Sequence, residues 1–344
     1  MTFAHNDRKK DHLRIVLDGS ESRSEITTGL EKIMFEHVAL PEFSLDEVDL
    51  SSVFLGRSVA APLLVSSMTG GPKRAELINE NIAVACQALR LPFAVGSQRV
   101  ALEGEQSYGL NQQLRRLAPD VPILGNLGAA QLNDAGGVDL ARRAVDMIEA
   151  DALYIHLNPL QEAVQTGGDR NWAGVLGQIG KLVRGLPVPV AVKEVGFGLS
   201  GTVCRQLAEV GVTILDVAGA GGTNWAKVEA AREHDPARAR MGRIFADWGI
   251  PTAQAIQAAR AACPDHVIVG SGGISNGVEA AKALRLGANM IGVAAGILEA
   301  AVKSADDTEA YLKMLCDELR TTCFCTGSQD LQALSTAVLR QERS

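Results

Sequence analysis

Apolar residues in this chain gather into short runs that stop at small or polar residues. Eight such runs recur: Pro62–Ser66, Pro92–Gly96, Val121–Gly125, Ala152–Leu157, Val188–Lys193, Val212–Val217, His266–Gly270 and Met290–Val293. Short, nearly continuous apolar runs read as strands buried on both faces. Between most of them lie stretches with a helical period. Glu76–Leu89 is one, and Val138–Glu149 sets Leu140, Val145 and Ile148 against Asp139, Arg142, Arg143 and Asp146. Val278–Leu286 places Glu279, Lys282 and Arg285 on one side at three-residue spacing. Strands alternating with helices imply parallel pairing, and eight of them imply closure into a (β/α)₈ TIM barrel of the α/β class. An open doubly wound sheet is the alternative.

A barrel accommodates 344 residues as a single domain. Residues 1–60 precede the first strand as an N-terminal extension. Residues 61–305 form the barrel, and 306–344 read as helices packed on it, at Thr308–Leu319 and Asp330–Arg340. The longest connection, Ala218 to Pro251, carries Gly219–Trp225 and then a charged stretch, Lys227–Arg243. Leaving the C-terminal end of the sixth strand, it is expected to be a loop over the active site.

Glycines mark the end of the barrel: Gly270–Gly277 (GSGGISNG) and Gly287–Gly296 (GANMIGVAAG). Asn276 can cap a helix there with Glu279 as its partner, and free N–H groups at a helix start attract an anion. This arrangement, after the last two strands, is how a barrel builds a phosphate site, so a phosphorylated cofactor is expected.

Composition narrows the choice. The formal net charge is −7 and aromatics are 4%, which argues against nucleic acid as a partner. The longest apolar stretch, Met290–Leu298, is too short for a membrane span. The six cysteines include no C-x-x-C pair. Together with the charged start Asn6–His12, which is unlike a secretory leader, they suggest a reducing cytoplasm and structural thiols.

The strand C-termini, where barrel chemistry sits, are polar six times in succession. They read Ser66-Ser-Met-Thr-Gly-Gly71, Ser97-Gln-Arg99, Asn126, His156 with Gln161-Glu162, Lys193-Glu194, and Asp216 followed by Thr223. Alone, Ser97, Asn126 and Thr223 are caps or turn residues as readily as ligand contacts. Lys193 is either a snorkelling edge residue or a cation set against an electron-rich group, and the cost of burying an ammonium favours the second. His156 alone reads as a satisfied core histidine. Gln161-Glu162 is a helix start or the mouth of a metal site, since one carboxylate with phosphate oxygens commonly holds Mg²⁺. Arg8-Lys9-Lys10-Asp11-His12 alone reads as a solvated end.

Taken together, these motifs resemble the type 2 isopentenyl-diphosphate isomerases, flavin-dependent barrels. The pieces are Arg8-Lys9-x-x-His12, Met68-Thr-Gly-Gly71, Ser97-Gln-Arg99, Asn126-Leu-Gly128, His156 with Gln161-Glu162, Lys193-Glu-Val-Gly196, Gly221-Gly-Thr-Asn224, Gly272-Gly-Ile274 and Ala295-Gly296. The resemblance implies FMN as cofactor, contacted by Ser67, Met68, Thr69, Ser97, Asn126 and Lys193 at the ring. Thr223, Gly272, Gly273, Ile274, Ala295 and Gly296 would hold the phosphate. It implies a diphosphate substrate held by Arg8, Lys9, His12, Ser97 and Arg99, with His156 and Gln161 near the reacting carbons and Glu162 on Mg²⁺. Gln161, Lys193 and His156 would be the catalytic set. It implies a homo-oligomer, tetramer or octamer, and NADPH or NADH as reductant. Ala218 stands where some members have Ser, which removes one hydroxyl from the cofactor.

The implied reaction is a 1,3-proton shift between isopentenyl and dimethylallyl diphosphate. Two other readings remain beside it. An FMN-dependent hydroxy-acid oxidase would need a His base after strand six, where this chain reads Ala-Gly-Ala-Gly-Gly-Thr-Asn-Trp. A non-catalytic flavin- or phosphate-binding barrel, acting as carrier or scaffold, would not need so many polar strand ends.

Overall fold

A computed structural model of the chain describes residues 11–68, 73–104, 107–133 and 136–340. Arg8, Lys9 and Thr69 lie outside the described residues. Eight parallel strands close into one barrel in chain order. They are β3 (Leu63–Val65), β4 (Phe93–Ala94), β5 (Ile123–Gly128), β6 (Ala152–His156), β7 (Val190–Lys193), β8 (Ile214–Asp216), β9 (Val267–Ser271) and β10 (Met290–Val293). Each falls within or across one of the eight apolar runs. A two-stranded antiparallel hairpin, β1 (Ser52–Phe54) and β2 (Arg57–Val59), precedes them. Its Phe54 and Val59 pack into the same apolar cluster as the residues inside the barrel, so the hairpin plugs the N-terminal end.

Alternation along the strands explains both the core and the site. Leu64, Ala94, Leu124, Tyr154, Ala191, Ile214, Val269 and Met290 form one buried interior cluster, a position from each strand. Successive side chains point to opposite faces, so the residue two further on points inward again. Those next inward positions are Ser66, Gly96, Asn126, His156, Lys193, Asp216, Ser271 and Gly292. The barrel interior therefore changes from wholly apolar to polar or small within one step on all eight strands. The upper layer is the floor of the C-terminal mouth.

The helices follow from amphipathic stretches and their caps. Lys73–Leu89, Gly137–Ile148 and Gly277–Arg285 match the periodic segments. Ala305–Cys325 is longer than the predicted Thr308–Leu319, because Ser304 caps its start by accepting from Asp307 N at 3.0 Å. The last helix, Leu331–Thr336, is shorter than expected.

The stretch from 218 to 251 is not the long loop that its composition predicts. It folds as two helices, Trp225–Arg232 and Pro236–Ile244. Asn224 caps the first, accepting from Lys227 N at 3.0 Å, while its amide donates to Phe245 O and Ala246 O at 2.9 and 3.1 Å. One side chain thus ties both ends of the excursion. Asp235, followed by Pro236, starts the second helix.

The segment before β1 runs along this excursion. Ser24 N donates to Gly222 O at 2.8 Å, Asn224 N to Ser22 O at 2.7 Å and Ala253 N to Thr28 O at 2.9 Å. Residues 11–18 are helical. No helix among the described residues is long and apolar enough to cross a membrane.

Candidate active site at the barrel mouth

The glycine loops after β8 and β9 interlock backbone to backbone. Gly272 has φ +104°, and a Cβ there would lie 2.1 Å from Gly219 O. A Cβ on Gly222 would lie 2.6 Å from Gly273 N, and one on Gly221 would lie 2.4 Å from Thr28 N. Only glycine permits this approach. Thr252, wholly buried, fixes the junction: its hydroxyl donates to Gly272 O at 2.6 Å. Beyond β10, Ala295 and Gly296 open the Ala295–Lys303 helix, whose N-cap, Ala294, supplies no side-chain bond. Tyr311 covers this turn, since a Cβ on Gly296 would meet its hydroxyl at 2.3 Å.

The helix at Asn276 does not offer the free N–H groups that its sequence suggests. Asn276 Oδ1 accepts from Glu279 N at 2.9 Å, but Gly277 N donates to the Glu318 carboxylate at 2.7 Å. Glu279 reaches Ser275 N, not Asn276 N, so the predicted reciprocal cap is shifted by one residue. With a protein carboxylate on that terminus, an anion is left the glycine turn Gly272–Ile274 and the uncapped start at Ala295–Gly296.

On the floor, Asn126 and His156 are joined, Nδ1 to Oδ1, at 2.7 Å. With the amide oxygen turned to it, Nδ1 carries the proton. Asn126 is bracketed by Gln98, fully buried, which sequence reasoning passed over. Gln98 Oε1 accepts from Asn126 N at 2.9 Å, and its own N–H donates to Asn126 O at 2.9 Å. Ser66 and Ser67 have buried hydroxyls with no hydrogen-bond partner among the described residues. Met68 packs on the core, and Ser97 and Thr223 are half-buried at the rim.

Lys193 is 6% exposed and stands in register with His156 on one side and Asp216 on the other. Its ammonium donates to Glu194 O. Glu194, also 6% exposed, turns its carboxylate into the N–H groups of Val195, Gly196 and Phe197 at 2.6, 2.7 and 2.5 Å. Burial pushes its carboxyl up to about 7 even so. Asp216 is wholly buried and accepts from the Ser271 hydroxyl. Burial holds it above the usual carboxylate range, opposed by Lys193 and Ser271.

A second group stands at the rim. Gln161 Nε2 donates to Glu229 Oε1 at 3.0 Å, and His12 Nε2 lies 2.9 Å from the same oxygen. Arg232 takes the other oxygen at 2.9 Å. His12 also stands edge-on to Trp225, ring centres 5.2 Å apart. Burial acts to raise the Glu229 carboxyl, but His12, Gln161 and Arg232 outweigh it and leave it at about 2. Glu229 was hidden in the sequence as one charge in a charged stretch.

Glu162 accepts from Asn158 Nδ2 at 3.0 Å, Gln165 Nε2 at 3.2 Å and Asp169 N at 2.8 Å. Asp169 in turn takes Arg99 at 3.0 Å, whose Nε bonds Glu103 at 2.9 Å. Among the described residues no cluster of three or more His, Cys, Asp or Glu could hold a metal. A cation at Glu162 would need ligand oxygens from a substrate. Away from the mouth, an apolar groove of about 930 Å³ lies between residues 33–37 and the Ala305–Cys325 helix; none of the strand-end residues lines it.

The family model for FMN-dependent dehydrogenases matches residues 156–341. The isopentenyl-diphosphate delta-isomerase of Stutzerimonas stutzeri is 56% identical, covering 97% of this chain and 96% of that protein. The protein of the same name from Cronobacter sakazakii is 55% identical over the same shares. Among solved structures, a mandelate oxidase variant with a monooxide FMN adduct superposes with a TM-score of 0.67 at 15% identity, covering 94% of this chain and 95% of that one. A lactate oxidase from Pediococcus acidilactici gives 0.66 at 12% identity, covering 96% and 95%. These two likenesses concern the fold.

Proposed function

This chain belongs to the FMN-dependent isopentenyl-diphosphate delta-isomerases, and from that premise we infer which of its residues carry the reaction. The reaction moves a proton across an allylic system, between isopentenyl and dimethylallyl diphosphate, with no net redox change. Its difficulty is protonating an unactivated alkene beside a diphosphate leaving group. A side-chain acid contributes only ~10²–10⁴-fold. When bound, reduced FMN supplies the acid and base that side chains lack.

The mouth fits that cofactor. Its polar floor, the orphaned hydroxyls of Ser66 and Ser67 and the interlocked glycine cradle are groups that water or a polar ligand must satisfy. In our reading Ser67, Met68, Thr69, Ser97 and Asn126 line the ring, and Lys193 faces its electron-rich side and stabilises negative charge there. Thr223, Gly272–Ile274 and Ala295–Gly296 hold the phosphate through backbone N–H groups. Arg99, Ser97, Arg8, Lys9 and His12 bind the substrate diphosphate. Glu162, with diphosphate oxygens, would hold Mg²⁺, whose charge would neutralise the diphosphate and discourage its loss. His156, its proton fixed on Nδ1, faces the substrate, and Glu229 holds the Gln161 amide toward the reacting carbons. The Trp225–Arg232 helix roofs the site and excludes water. NADPH or NADH would supply the electrons that reduce the flavin. We further read the protein as a cytoplasmic homo-oligomer, a tetramer or octamer, which light scattering would test.

One observation supports the assignment above all: the inward layer turns polar on six strands and to glycine on the other two, beside a glycine cradle that no side chain can enter. The test is conversion of isopentenyl diphosphate with FMN, NADPH and Mg²⁺. Flavin absorbance in the purified protein and turnover with reduced flavin are expected. A protein that takes up FMN but neither binds nor converts the diphosphate would refute the substrate. The hydroxy-acid oxidase reading lacks its His base in Gly219–Trp225 and predicts bleaching of the flavin by lactate, which is not expected.

A further inference from the structure

Three ionisable side chains crowd two adjacent strands beneath the mouth, each more than nine-tenths buried: Lys193, Glu194 and Asp216. Burying charges is costly unless they are paired and hydrogen-bonded. Glu194 is supported by the three backbone N–H groups that follow it. Asp216 has less: of backbone groups only the Ala218 N–H faces it. It shares the inward layer with Lys193, directly in register on the neighbouring strand, where strands lie ~4.8 Å apart.

The groups around it are few. Ser271, from β9, donates to Oδ1, while Oδ2 has no hydrogen-bond partner among the described residues. The Tyr154 hydroxyl, on β6 and also without a full hydrogen bond, faces the same carboxylate. Val269 stands in register on β9. Lys193 is therefore the cation that answers Asp216.

Resting on the reading that Lys193 faces the electron-rich side of the FMN ring, we propose that Asp216 is a positioning residue whose carboxylate balances Lys193 and so sets how readily the flavin ring takes up negative charge. An uncompensated ammonium beside the ring would hold the reduced cofactor deprotonated and spoil it as an acid. A ring that both gives and takes a proton works best when its proton is available near the working pH. Asp216 offsets part of the lysine field and brings that about, without touching the substrate.

The experiment uses FMN-loaded protein and two readouts other than turnover: the flavin midpoint potential, by equilibration with reference dyes, and the pH at which reduced flavin loses its N1 proton, by absorbance. Asp216→Asn keeps the shape and removes the charge. It is expected to shift the reduction equilibrium at least tenfold toward reduced flavin, about 30 mV for a two-electron couple. The N1 proton should be lost about one pH unit lower. Ser271→Ala, which removes only the hydroxyl, should move both readouts the same way and less. It decides the matter if Asp216→Asn does not fold. Lys193→Met should move both readouts oppositely. If Lys193→Met shifts them while Asp216→Asn and Ser271→Ala leave them in place, Asp216 is a packing residue and the inference fails. If Lys193→Met also leaves them unchanged, Lys193 does not face the flavin, and the reading beneath the inference fails with it.

Discussion

Glu229 Oε1 receives the Gln161 amide at 3.0 Å and stands 2.9 Å from His12 Nε2, so one buried oxygen joins the N-terminal segment to the helix after β6. Removing its charge weakens its hold on Gln161, whose Oε1 is otherwise bonded only by Asn158 Nδ2 at 3.1 Å among the described residues, and deprives His12 of its charged partner. A hydrogen bond to a charged group is worth about 1.5–3 kcal/mol. Glu229→Gln is therefore expected to lower kcat/KM for isopentenyl diphosphate roughly 10–100-fold, measured with pre-reduced FMN. FMN affinity, read by fluorescence titration, should be unchanged, because Glu229 is at the rim. Equal losses of both would show a general collapse of the mouth.

That oxygen also shows where the sequence stopped being readable. The eight strands could be found because burial on both faces leaves apolar runs that polar helices never imitate. Strand-end positions followed directly, since alternation places Asn126, His156, Lys193 and Asp216 on one inward layer. Glu229 sits among Lys227, Arg232 and Glu233, and nothing in that composition separates a 3%-exposed carboxylate from its solvated neighbours. Only the fold brings His12 and Gln161 to it. The two helices between 218 and 251 were missed because their apolar faces are short, and Asn224 and Asp235 resemble turn residues as much as caps. The bonds of Ser22 and Ser24 to Asn224 and Gly222, and of Thr28 to Ala253, are backbone bonds, which leave no mark on side-chain pattern.

Glu194 gives a pH signature. Its carboxyl stands at about 7 in the folded chain against an ordinary 4.5, so the folded state holds this proton more tightly than the unfolded state. Its contribution to stability is complete below pH 4.5 and is lost as pH rises to about 7, at most about 3 kcal/mol in all. Gln in its place can still accept the three backbone N–H groups. Glu194→Gln should therefore flatten the fall in Tm between pH 5 and pH 8, with the variant more stable than the parent at pH 8. An unchanged slope would mean that the carboxylate is already ionised at low pH.

Gly272 tests the cradle. An alanine there would place its Cβ 2.1 Å from Gly219 O in a backbone conformation, φ +104°, that side chains rarely adopt. Either the loop after β8 moves or the turn after β9 opens, and both displace the N–H groups offered to a phosphate. Gly272→Ala is expected to weaken FMN binding at least tenfold by fluorescence titration. Gly56→Ala is the comparison: its φ is +73°, but nothing lies within 4 Å of the added methyl. It should cost about 1 kcal/mol of stability and leave FMN affinity alone. Equal loss of FMN binding in both would remove the cradle as the cause.

Glu162 tests the metal. Its two oxygens accept from Asn158, Gln165 and Asp169 N, and a glutamine can keep one side of that set through its own Oε1. The change therefore removes charge while leaving much of the local frame. Mg²⁺ prefers anionic oxygens and keeps several waters, so a site with one protein carboxylate depends heavily on that carboxylate. Glu162→Gln should raise the Mg²⁺ concentration for half-maximal turnover at least tenfold at fixed isopentenyl diphosphate. Binding of FMN should be unaffected, since Glu162 lies on the helix after β6 and the cradle on the turns after β8 to β10. If Mg²⁺ dependence stays where it was, the cation is held by the diphosphate alone, and Glu162 serves only to order Asp169 and, through it, Arg99.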